Sequence, residues 1–109
     1  MSGTMLLLVA IVFNVGANLM FRHASAIPNY PPQKLVLLGI GLLVGLINTL
    51  FYIRSLDELP LGTAFPIYSA VSIVLIAVLA GMIFGETWSL QKAAGLATIC
   101  IGIVVFGRA

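Results

Sequence analysis

Residues 6–22, LLLVAIVFNVGANLMFR, form an almost unbroken apolar run interrupted by two carboxamides, Asn14 and Asn18, and closed by a cation, Arg22. At 3.6 residues per turn, positions 14, 18 and 22 stack along one face of a helix, while Leu7, Val9, Ile11, Phe13 and Leu19 cover the rest. Such a helix offers hydrocarbon to lipid on most sides and a polar seam on one. An amide at hydrocarbon depth is costly without a hydrogen-bonding partner, so the seam is expected to face other helices or a water-filled cavity.

The rest of the chain has the same character. Of its 109 residues 61% are hydrophobic and 7% charged, where a soluble domain carries about 25% charged residues. Apolar runs recur at 5–21, 35–53, 61–84 and 93–107. A bilayer core of about 30 Å needs roughly 17 to 25 helical residues, and the fourth run reaches that length if its helix begins at 90–92. The expected fold is all-α: one integral-membrane domain over 1–109, a four-helix bundle with helices near 4–22, 34–54, 61–84 and 90–107. The first run also resembles a secretory signal peptide, with Ala24-Ser25-Ala26 as a cleavage site. No Lys or Arg precedes it, however, and Asn14, Asn18 and Arg22 interrupt it, so a retained span is expected.

A net charge of +2 is too small to suggest nucleic-acid binding. The single Cys100 has no second cysteine to pair with and reads as a small core residue. No metal-ligand cluster, nucleophile–base pair or acid pair falls inside a run, so neither an enzyme nor a cofactor is expected.

The connections carry the punctuation. In 22–34, RHASAIPNYPPQK, Pro28, Pro31 and Pro32 stop both flanking helices, and His23 reads as a solvated group at the membrane edge. The second run holds Gly41 and Gly45 at a small-xxx-small spacing, then Asn48 and Tyr52 one turn apart. Asn48 and Tyr52 fit an interfacial anchor with a satisfied amide as well as a cavity lining. Asp57 and Glu58 fall in a short loop that reads as a solvated turn. The third run opens LGTAFPIYSAVS, where Pro66 removes a helix hydrogen bond and Gly62, Ala64, Ala70 and Ser72 keep the surface small, so a hinge at Gly62 and Pro66 is expected. Tyr68 and Ser69 project from that bend, a place where transporters tend to bind solutes; a kinked packing helix without a ligand is the alternative. Trp88 reads as an interface anchor, and Gly95 and Gly102, two turns apart, mark a close helix–helix seam.

With four spans, Arg54 and Arg108 lie on one side and Arg22, Lys34 and Lys92 on the other, which gives almost no orientational preference. Dual topology and an antiparallel pair of identical chains become accessible. A dimer with its first helices facing would enclose a midplane site that four short helices cannot.

NVGANLMFR, LPLGTAFPIYSAVS, FGE at 84–86 and GLATICIGI at 95–103, in that order and spacing, resemble the drug/metabolite transporter superfamily in its four-span branch, the small multidrug resistance and EamA-like proteins. The resemblance covers essentially the whole chain. It implies a bacterial inner-membrane homodimer, often antiparallel, with Gly95 and Gly102 in the fourth-helix dimerisation segment, exposing one central site alternately to each side. By position, Asn14 falls where the drug exporters have an essential glutamate, Tyr68 falls near their conserved tryptophan, and Ala70 and Ser72 fall where a Gly-x-Gly usually sits. A carboxamide does not titrate, so coupling through a carboxylate pair is not expected here.

The function expected is transport of a small amphiphilic or polar solute by alternating access, with Asn14 and Asn18 as the site and Asn48, Tyr68 and Ser69 beside them. Carboxamides, a phenol and a hydroxyl suit a neutral or zwitterionic group, and Arg22 could attract a phosphate. Two alternatives share these residues: a subunit of a lipid-linked-sugar flippase of the undecaprenyl-phosphate aminoarabinose type, pairing as a heterodimer, and a non-transporting partner whose seam only bonds one chain to another.

Overall fold

The computed structural model describes residues 2–27 and 32–108; Pro28 and Pro31 lie outside them. Four helices make up almost all of this: α1 (Gly3–Ser25), α2 (Pro32–Ser55), α3 (Leu61–Ile83) and α4 (Leu90–Gly107). Each is long and apolar enough to cross a bilayer, with a mean hydropathy between 1.7 and 2.3 over its best window. The chain is an all-α, multi-pass membrane protein. α1 runs three residues beyond its expected end at 22 and α2 starts two before 34, so Arg22 and Lys34 sit inside helices.

Local chemistry sets the ends. Ser2 caps α1 by accepting from the Met5 amide at 3.2 Å, and Ser89 caps α4 by accepting from Lys92 at 3.0 Å. Pro32 opens α2, where its missing N–H costs nothing, and Pro60 immediately precedes α3. α3 ends at Ile83 with Phe84 as its C-cap, and the chain turns through Gly85 at φ +66°, a left-handed conformation that glycine adopts without steric cost.

α1 is the central element, packed between α2 and α3, and α4 leans on α3. The core is small: Leu7, Ile11 and Val15 of α1 close over Ala64 of α3, with Ile67, Tyr68 and Val71 half-buried around them. Leu7 and Ile11 therefore face protein rather than lipid, and the lipid-facing side of α1 is instead Met5, Leu8 and Val12, each more than half exposed.

On the α2 side the small-residue spacing meets its partner. A Cβ added at Gly41 would lie 2.7 Å from the Phe21 ring, and one at Gly45 would lie 4.0 Å from the Ala17 methyl. Apolar burial drives little association in lipid, so this close approach is what holds α1 to α2. Gly41→Leu is expected to cost about 1–3 kcal/mol through overpacking. Gly39→Leu, placed where a Cβ meets nothing within 4 Å, should cost nothing measurable. Unfolding of both variants in detergent, followed by circular dichroism, checks the contrast.

Loop carboxylates tie α1 at both ends. Glu58 lies exposed in the turn expected for it and also accepts a hydrogen bond from the Gly3 amide, so it serves the α1 N-terminus as well. At the other end Arg22 Nε reaches Glu86 Oε2 at 3.0 Å. Trp88 folds back onto Gly81, where there is no room for a Cβ, and the Lys92 ammonium lies 5.1 Å from its ring centroid.

α4 contributes no buried residue, and this corrects the reading of Cys100, which is exposed on α4 and not in a core. The Cα atoms span 48 × 36 × 17 Å, a slab less than two helix diameters thick.

Candidate functional site

The seam on α1 forms from adjacent turns of one helix. Asn18 Nδ2 donates to the Asn14 backbone carbonyl at 2.9 Å and to Asn14 Oδ1 at 3.2 Å. The two amides thus satisfy part of each other's hydrogen-bonding need within the helix. Asn14 is half-buried and Asn18 exposed. At roughly 100° per residue, Asn14 lies about half a turn from Met5 and Val12, so it points away from the exposed apolar side of α1. It sits between the residues that meet α2 (Ala17, Phe21) and those that meet α3 (Leu7, Ile11).

A second polar pair joins α2 and α3. Tyr68 Oη donates to Asn48 Oδ1 at 2.7 Å, and Asn48 Nδ2 reaches the Gly45 carbonyl at 3.4 Å. Tyr52, one turn after Asn48, lays its ring 4.7 Å from that of Tyr68 and meets Phe65 edge-on at 6.5 Å. Asn48 and Tyr52 together hold the Tyr68 phenol, with Asn48 only 8% exposed. A hydroxyl that donates inside protein still has lone pairs to accept with.

The other candidates stand as follows. Ser69 is half-buried beside Tyr68. Pro66 lies within α3, where its absent N–H leaves the Gly62 carbonyl without its i+4 donor. Gly62 and Pro66 line an open groove with Leu61 and Phe65. Gly95 and Gly102 both face open space. Arg22, expected to be able to attract a phosphate, is paired with Glu86, and its guanidinium lies 5.3 Å from the Phe84 ring centroid.

Two features escaped the sequence reading. Ser72, taken only as a small residue, is 3% exposed, and among the described residues its Oγ is the buried side-chain oxygen with no hydrogen-bond partner. Its position, one turn on from Tyr68, was the available signal. The reach of Glu86 to Arg22, 64 residues away in sequence, had no local signal at all.

Chemically the arrangement offers neutral donors and acceptors. Asp57, Glu58 and Glu86 all lie in the connections, and no group of three or more His, Cys, Asp or Glu side chains gathers among the described residues. The grooves on the surface are lined elsewhere, one by His23, Ile27 and the start of α2, another by Cys100, Ile101, Val104 and Val105. The seam of a single chain is partly open, with Asn14 half-buried and Asn18 exposed.

Comparison with known proteins agrees with this architecture. The profile of the Small Multidrug Resistance protein family matches residues 3–99. Quaternary ammonium compound-resistance protein QacE of Escherichia coli is 27% identical over 107 residues, covering 96% of this chain and 91% of that one. Multidrug resistance protein EbrB of Bacillus subtilis is 28% identical, covering 99% and 88%. A probable 4-amino-4-deoxy-L-arabinose-phosphoundecaprenol flippase subunit, ArnE of Erwinia tasmaniensis, is 26% identical, covering 94% of each chain. No solved structure matches significantly. Four apolar spans in this order, matched along nearly their whole length, place the chain in the Small Multidrug Resistance protein family.

Proposed function

We propose that this protein transports a small amphiphilic or polar solute across the bacterial inner membrane by alternating access, as a dimer and without carboxylate-based proton coupling. The observation that carries the reading is the Asn14–Asn18 seam, with Asn14 turned away from the lipid-facing side of its own helix and Asn18 left open in one chain. A second chain laid over the slab roofs that strip, and the Asn48–Tyr68 pair lines it from the neighbouring helices. α4, with Gly95 and Gly102 unoccupied, supplies a contact surface for close helix packing, and the interrupted bonding at Gly62 and Pro66 supplies the bend. Likeness along the whole chain to QacE, a quaternary ammonium compound-resistance protein, and EbrB, a multidrug resistance protein, supports a small multidrug-type transporter.

A second reading, a subunit of a lipid-linked-sugar flippase, is favoured by the likeness to ArnE and by the neutral seam, since amides pair with sugar hydroxyls without needing a charge. In that reading the partner is a different chain. A binding screen on the purified protein, with lipophilic cations in one arm and polyprenyl-phosphate sugars in the other, separates the two. Binding of neither class would count against both.

In either case binding should be nearly flat between about pH 5 and 8, because the seam is built of carboxamides, which carry no titrating proton, and Asp57, Glu58 and Glu86 all lie in the connections outside the helices. Calorimetric titration at three pH values checks it, and a steep loss on acidification would reject carboxylate-free coupling.

A further inference from the structure

The polar seam ends, one turn beyond Asn18, at Arg22, which shares its face of α1. From there Arg22 crosses to the α3–α4 connection: Nε donates to Glu86 Oε2 at 3.0 Å, the guanidinium carbon lies 5.3 Å from the Phe84 ring centroid, and Nη1 reaches Ser25 Oγ at 3.4 Å. Ser25 Oγ itself donates to the Arg22 carbonyl at 2.7 Å, which holds the last turn of α1 in place. One cation thus bridges the helix that carries the seam to the connection that leads into α4, across the end of the strip.

We propose that the Arg22–Glu86 pair is a gate over this end of the seam, closed when the pair forms and opened when it breaks. The proposal rests on the alternating-access reading, in which the seam must open to this face once per cycle. The strength of the contact suits that use. With side chains 46% and 35% exposed, the pair is hydrated and joined through one nitrogen and one oxygen, so it biases the closed state only modestly and can break in every turnover. A buried, bidentate pair would hold the seam shut. Phe84 adds a cation–π contact that Arg22 keeps when Glu86 alone is neutralised.

The test reads access to the seam and needs no solute. In a Cys100→Ala background reconstituted in nanodiscs, Asn18→Cys serves as a thiol reporter, with Asn14→Cys as a second reporter on the same face. The rate of reaction with a water-soluble maleimide is measured with the pair intact, with Glu86→Gln, with Arg22→Gln, and with the reversed pair Arg22→Glu/Glu86→Arg. The gate predicts a rate increase of about two- to fivefold in Glu86→Gln, at least as much in Arg22→Gln, and a return most of the way in the reversed pair. Unchanged rates in both neutralised variants would overturn it, as would increases that reversal does not repair, since those would come from loop packing. Flux is measured separately in chains with the native asparagines. A pair that controls labelling in a protein that moves no solute leaves the gate standing and removes the transport reading; normal flux with labelling indifferent to the pair does the opposite.

Discussion

Asn14→Leu is expected to lower solute binding and flux about ten- to a hundredfold while leaving the helices packed and the subunits paired. Leucine keeps asparagine's branched skeleton of four side-chain heavy atoms; it is bulkier, but at a half-buried position the added methyl volume is taken up on the open side of the seam rather than forced into a closed core. Asn18 also keeps a partner, because its Nδ2 is bonded at 2.9 Å to the backbone carbonyl of residue 14, which the substitution does not remove. What disappears is one donor and one acceptor facing the seam. A solute group that paired with them enters the site unsatisfied, at a cost of about 1–3 kcal/mol. Counterflow in proteoliposomes reads the flux, and cross-linking in the same vesicles reads the pairing. If pairing fails first and flux only follows it, the seam serves association, for which interhelical amide contacts worth about 0.6–2 kcal/mol would suffice. The non-transporting reading would then stand in place of the proposed one.

The spans and the polar seam were legible because both are local patterns. Four runs of the right length fix the fold class, and a spacing of four residues makes Asn14 and Asn18 neighbours in any helix. Which side of each helix meets protein was much less legible. Leu7 and Ile11 are 3% and 2% exposed, whereas Met5 and Val12, equally apolar, are 54% and 66% exposed. In water an amphipathic stripe marks the buried face, but lipid is as apolar as leucine and erases that mark. The glycines carried better information, because close approach needs a missing Cβ whatever the solvent: Gly41 meets Phe21. Gly95 and Gly102 have the same signature, and within one chain they meet nothing. Long-range polar contacts were the least accessible. Glu58 and Glu86 look alike as loop carboxylates, and nothing near either one says that it will bind the start or the end of α1.

Asn14→Glu is expected to have the opposite consequence to leucine and one as large: it should give the seam an affinity for lipophilic cations that depends steeply on pH. The native seam presents only neutral dipoles, whose interaction with a cation does not change between pH 5 and 8. A carboxylate at position 14 carries a charge in one protonation state and none in the other, so proton and cation compete for it. The sign follows directly. Above the carboxyl pKa the anion is present and a quaternary ammonium binds; as pH falls through that pKa the site is neutralised and affinity declines, by about tenfold per pH unit where one proton is displaced per ligand. Proton release during cation binding, measured in weakly buffered solution, should accordingly appear in Asn14→Glu and be absent in the unsubstituted protein. Asn14→Gln separates charge from size: it lengthens the side chain as glutamate does and should bind without pH dependence. If Asn14→Glu binds cations no better than Asn14→Gln and releases no protons, position 14 does not face the solute, and the seam could not be the place where transport is coupled.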